Sequence, residues 1–130
     1  MTTNILVVED DEHDLSFTLR ALKLCSVDDV PRIARDGEEA LHILTHGKPN
    51  LILLDLKLPK IDGFTVLKHI RATPALEGVP VVVVSGSVIE ADRVRALILG
   101  ANNYVVKNMD FAEFAKILCL ALSPYVSSLS

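Results

Sequence analysis

The chain has no tryptophan and only two tyrosines. That argues against a site that clamps a flat cofactor such as a flavin between aromatic rings. Long apolar runs are missing as well. None reaches the roughly 18 residues of a membrane-spanning helix, and the longest, Val79 to Val84, contains Pro80 and suits a strand. The opening Met1-Thr2-Thr3-Asn4 lacks the charged start and apolar stretch of a secretory signal. Basic residues are scattered and the net charge is −4, so there is no nucleic-acid footprint. The two cysteines, Cys25 and Cys119, fall in helix-like stretches. They are expected to be small buried hydrophobes in a reducing compartment, without a disulfide. The cytoplasm is the expected location, with no membrane contact.

What is present is apolar side chain. Hydrophobic residues make up 50% of 130, so either the core is large for the length or some apolar surface meets a partner. Four short apolar runs stand out: Ile5 to Val8, Leu51 to Leu54, Val81 to Val84 and Tyr104 to Val106. They do not alternate with polar residues, as expected of parallel strands buried on both faces. A weaker run, Val30 to Ala34, holds Pro31 and belongs at a sheet edge.

Helical spacing fills the gaps. Leu15, Leu19 and Leu22 share one face, and Ala40, Ile43 and Leu44 another. Phe64, Leu67 and Ile70 follow, then Val94, Leu97 and Ile98, then Phe111, Phe114, Ala115 and Leu118. Asp36/Glu39, Ser87/Glu90 and Asp110/Glu113 have capping-box spacing, and Gly100 suits a helix C-cap. The alternation predicts an α/β fold, a doubly wound parallel sheet with right-handed crossovers. One domain spans 1–123, with a short tail over 124–130.

The chemistry gathers where the strands end. Glu9, Asp10 and Asp11 follow the first strand, Asp55 the third, Ser85 the fourth and Lys107 the fifth. Open α/β sheets bind ligands at that edge. Adjacent carboxylates repel, and Mg²⁺, which takes oxygen ligands, would relieve them. An ionised aspartate can attack phosphorus, provided Mg²⁺ and Lys107 neutralise the charge on the equatorial oxygens. The Ser85 hydroxyl could bond the product phosphoryl group. His13, His42, His46 and His69 lack metal spacing and are expected at the surface.

Five motifs in order complete the pattern. They are Ile5-Leu6-Val7-Val8-Glu9-Asp10-Asp11; Asp36 to Leu41; Leu53 to Pro59 with Asp62-Gly63; Pro80 to Ser85; and Gly100 to Lys107. From about Asn4 to Ser123 the chain resembles the response-regulator receiver domains. The resemblance implies a flavodoxin-like (βα)5 fold with strand order 2-1-3-4-5. It implies Asp55 as phosphoacceptor, Asp10 and Glu9 as Mg²⁺ ligands, the Lys57 backbone carbonyl as a further ligand, and Lys107 as the phosphate-facing lysine. Ser85 and Tyr104 would be the switch pair, and Asp11 a helix N-cap neighbour.

The implied donor is a phosphohistidine on a sensor histidine kinase or phosphotransfer protein. The protein would catalyse only its own phosphorylation and dephosphorylation, and with no output domain following it would regulate a separate target or pass the phosphoryl group onward in a phosphorelay. One departure is Asn108, where the family usually has proline after the lysine; a trans bond is expected there. That feature, Val8-Glu9-Asp10-Asp11 with Asp14, and Arg20-Ala21-Leu22 resemble the regulators paired with bacterial phytochromes. An aspartyl phosphohydrolase of the haloacid-dehalogenase type would want an aspartate where Lys57 stands. The apolar last helix, with Tyr125, Val126 and Leu129 beyond it, suggests a homodimer through the fourth helix, fifth strand and fifth helix, or through the fifth helix and the tail.

Overall fold

A computed structural model describes residues 4–25, 27, 30–108 and 110–126. Strands and helices alternate: β1 (Ile5–Val8), α1 (Glu12–Leu24), β2 (Arg32–Ala34), α2 (Gly37–Leu44), β3 (Leu51–Leu54), α3 (Gly63–Ala72), β4 (Val81–Ser85), α4 (Glu90–Ile98), β5 (Asn103–Val106) and α5 (Phe111–Leu122). All pairings are parallel and the order is β2-β1-β3-β4-β5. The order reverses between β1 and β3, and the carboxyl ends there form the crevice where such sheets bind ligands. β2 lies at the edge, with Pro31 just before it.

The strand runs are continuous because each strand feeds two cores. Ile5, Val7, Leu51, Leu53, Val82 and Val84 pack with Leu15, Leu22, Phe114 and Leu118 under α1 and α5. Leu6, Val8, Ile52, Leu54, Val81 and Val83 pack with Ala40, Leu67 and Ile70 under α2 and α3. Neither face is left to water, so no alternation appears in the sequence.

Capping decides where the helices start. Asp11, Asp36, Asp62 and Asp110 each accept a hydrogen bond from the N–H three residues on. The expected Ser87 cap is not found: α4 begins at Glu90 with Ile89 as N-cap, and no side chain caps it. Ser87 Oγ instead donates to Asp92 Oδ2 at 2.7 Å. Gly100 stops α4 with φ of 112°, its N–H on the Leu97 carbonyl and the Ala101 N–H on the Ala96 carbonyl. That is a Schellman closure, which needs a residue tolerant of positive φ. Arg71 then ties this turn to α3, donating to the carbonyls of Gly100, Glu77 and Val79 and to Asn102 Oδ1.

Two further expectations fail. The apolar face foreseen for the fourth helix does not pack inward: Ala96 is the buried residue of α4, while Ile98 is 77% exposed and Val94 and Leu97 are also in solvent. Periodicity marks a stripe but not what it faces. The cysteines are also bonded to each other. Cys25 caps the C-terminus of α1, Cys119 lies on α5, and their Cα atoms are 5.2 Å apart in a Cys25–Cys119 disulfide. Ninety-four residues separate them in sequence; the packing of α1 against α5 joins them. The expectation of a reducing compartment loses that support.

The segment after α5 turns inward, with Val126 buried and Tyr125 packed on the same core as α5. Leu129 and Met1 to Thr3 lie outside the described residues. Among the described residues no helix is long and apolar enough to cross a membrane.

Candidate functional site

Glu9 and Asp10 leave β1, and Asp55 leaves β3, the strand paired beside it. Their carboxylates converge, each offering an oxygen within 4.8 Å of the others. Glu9 and Asp55 are buried; Asp10 is exposed. Gly63 makes this possible, because a Cβ there would overlap the Asp55 carbonyl oxygen. The start of α3 thus lies directly against the residue that carries Asp55. Between them, Ile61 N–H bonds the Pro59 carbonyl at 2.8 Å across Lys60, whose φ is 68°. This is a γ-turn of the strained hand in the segment that carries Lys57.

Lys107 reaches in from the end of β5. Its Nζ lies 2.6 Å from Glu9 Oε1, 2.9 Å from Asp14 Oδ2 and 3.2 Å from Asp55 Oδ2. A cleft of about 280 Å³ is lined by Glu9, Asp10, Asp11, Asp14, Asp55, Lys57, Gly86 and Lys107. Burial pushes the Glu9 carboxyl up to about 7, aided by the charge of Asp55 and opposed by Lys107. Burial works against the Lys107 ammonium, but hydrogen bonds to Glu9 and Asp14 and the charge of Asp55 hold it well above the ordinary lysine range. The cluster is short of positive charge even with Lys107 in place. Its donors are all oxygen and closely spaced, which fits a hard divalent cation.

Most of the residues foreseen from the sequence line this cleft: Glu9, Asp10, Asp55, Lys57 and Lys107. Asp11, expected as a neighbour of the helix cap, is itself the N-cap of α1. The two residues expected to form a switch pair, Ser85 and Tyr104, lie beside the cleft. Ser85 is fully buried and its Oγ accepts from the Ser87 N–H at 3.2 Å. The Tyr104 hydroxyl donates to the Ser87 carbonyl at 3.0 Å, so both hold the segment between β4 and α4. The four histidines are exposed. No cis peptide occurs among the described residues, so Lys107–Asn108 is trans as expected. Sequence reasoning missed Asp14 as a lysine partner. Its signal was the helical spacing, since Asp11 caps α1 and Asp14, three on, shares that edge.

A doubly wound parallel sheet with clustered carboxylates and one half-buried ammonium at its carboxyl edge defines an α/β protein with an acidic cleft whose oxygen ligands suit a hard cation. The family model described as the response regulator receiver domain matches residues 5–118. Response regulator Rcp1 of Synechocystis sp. is 37% identical over 121 residues, covering 88% of this chain and 82% of that protein. The structure of its Mn²⁺-bound form superposes with a TM-score of 0.86 at 34% identity, over 98% of this chain and 97% of that one. The phosphorylated cyanobacterial phytochrome response regulator RcpA gives 0.89 at 33% identity, over 100% and 98%. The bacteriophytochrome response regulator AtBRR gives 0.80 at 39% identity, over 98% and 96%. The chain belongs to the response-regulator receiver family of two-component signalling.

Proposed function

We propose that Asp55 is the phosphoacceptor, and that the domain passes a signal by switching partner binding when Asp55 is phosphorylated. The observation that carries this reading is the Asp55 carboxylate itself. It is buried at the end of β3, beside Glu9 and Asp10 and 3.2 Å from the Lys107 ammonium. Glu9, Asp10, Asp55 and the Lys57 carbonyl would hold Mg²⁺. When bound, Mg²⁺ supplies positive charge to the phosphoryl oxygens.

An Asp55 carboxylate oxygen attacks phosphorus. An O–P bond forms, the N–P bond to the donor histidine breaks, and the imidazole leaves with the electron pair and takes up a proton. Lys107 neutralises charge on the transferred group. The buried Ser85 hydroxyl then turns from Ser87 to the phosphoryl oxygens. Tyr104, bonded to the Ser87 carbonyl, follows that segment, and the surface around α4 and β5 shifts population.

The donor fits a histidine kinase or phosphotransfer protein, and the phytochrome-linked relatives favour a bacteriophytochrome kinase. The exposed Ile98, Ile117 and Leu120 favour a homodimer through α4, β5 and α5.

Intact-mass analysis after incubation with acetyl phosphate and Mg²⁺ tests the core of this reading. One phosphoryl adduct is expected, labile to hydroxylamine and absent from Asp55→Asn and from an EDTA-treated sample. An adduct that persists in Asp55→Asn would overturn it.

A further inference from the structure

Lys107 has three anionic partners, and two of them have other work. On the reading above, Asp55 becomes bonded to phosphorus and Glu9 is drawn to the divalent cation. The third partner, Asp14, stands outside the Glu9–Asp10–Asp55 cluster, and its carboxylate is 2.9 Å from the Lys107 ammonium. Asp14 is also rigidly mounted. It is the third residue of α1, and its N–H is held by Asp11 Oδ1 at 2.8 Å.

Lys107 needs such a hold. Its backbone N–H is tied to the Ser85 carbonyl at 2.8 Å. Beyond that lie a four-carbon side chain with free rotation and then Asn108, which does not restrict its predecessor as a proline would. Open space lies beside it. A cavity of about 300 Å³ adjoins the site, walled on its far side by Phe17 and Phe114. Asp14 and Lys107 are the two residues that line both this cavity and the acidic cleft. Their ion pair is the partition between the two spaces.

We propose that Asp14 is a positioning residue for Lys107. It keeps the ammonium at the edge of the acidic cleft after Glu9 and Asp55 are engaged, and keeps it from swinging into the cavity beside α1. The inference rests on the assignment of Asp55 as phosphoacceptor. It concerns orientation of the lysine, not binding of the cation.

The test compares wild type, Asp14→Asn and Asp14→Glu at saturating Mg²⁺ with acetyl phosphate as donor. In Asp14→Asn the maximal rate constant of adduct formation falls about tenfold, the scale of a mispositioned charged group. The half-saturating acetyl phosphate concentration does not rise, because an anion has been removed from the donor's path. Mg²⁺ affinity measured by calorimetry and the thermal midpoint stay close to wild type. Asp14→Glu recovers most of the rate. In the metal-free protein, heteronuclear NMR shows a protected Lys107 ammonium in wild type and Asp14→Glu, and its loss in Asp14→Asn. An unchanged or faster rate in Asp14→Asn, or a loss that tracks weakened Mg²⁺ binding, overturns the inference. Absence of any adduct in wild type would instead overturn the reading of Asp55.

Discussion

Glu9 is 4% exposed and lies against Asp55, so two carboxylates compete for one lysine in a poorly solvated place. Its carboxyl rises from the ordinary 4.5 to about 7 as a result. The folded protein therefore binds a proton there more tightly than the unfolded chain. In the metal-free protein this stabilisation is complete below pH 4.5 and is lost as pH rises through about 7. On the proposed assignment of Glu9 as a ligand, Mg²⁺ binding would have the opposite dependence, because the cation must displace that proton. Calorimetric titration should show affinity strengthening from pH 6 to pH 8, by up to about tenfold per unit below the carboxyl's pKa. Glu9→Gln should flatten the profile. A Mg²⁺ affinity independent of pH in the wild type would contradict this account of Glu9.

At the scale of elements, α4 stands apart. It buries only Ala96 and lacks a side-chain cap, so it is held mainly at its ends. Tyr104 and Ser87 secure the start, and Arg71 secures the Gly100 turn. An element with so little core contact changes position at low cost, which suits the surface of a switch. Ile98 on α4 is 77% exposed and Leu120 on α5 is 67% exposed, so each of the two helices packed on the edge strand β5 shows an apolar side chain to solvent. Sedimentation velocity at tens of micromolar should show a dimer for the wild type and a monomer for Leu120→Glu. The side chain is already in solvent, so the fold should survive the change. A wild type that stays monomeric with and without a phosphoryl group would remove the dimer.

At the scale of the molecule, the Cys25–Cys119 bond closes a loop of 94 residues around most of the sheet. The chain-entropy model assigns a loop of that size about 4.7 kcal/mol, through the restricted unfolded state. Reductant should lower the thermal midpoint by more than about 5 °C. Cys119→Ala should start from the lower midpoint and ignore reductant. Thiol titration under denaturing conditions should find no free thiol before reduction. Equal midpoints with and without reductant would mean that the bond does not form.

The layered fold and the composition of the site were legible from residue order alone. A parallel strand buried on both faces is apolar throughout, and Ile5–Val8, Leu51–Leu54 and Val81–Val84 show that plainly. The ends of such strands must meet along one edge, so Glu9, Asp10, Asp55 and Lys107 were bound to gather there. The starts of α2 and α5 were also legible, because Asp36 and Asp110 cap within four residues of themselves. The features that were not legible depend on contacts between distant segments or on which way a face turns. Ser87 has the spacing of a cap but bonds Asp92 instead. The stripe of Val94, Leu97 and Ile98 faces solvent because α4 rests on Ala96. Cys25 meets Cys119 because α1 packs against α5, and Asp14 meets Lys107 because the end of β5 comes up beside the first turn of α1. Local pattern carries no information on such pairings, since each is set by how whole elements pack and not by the residues next in line.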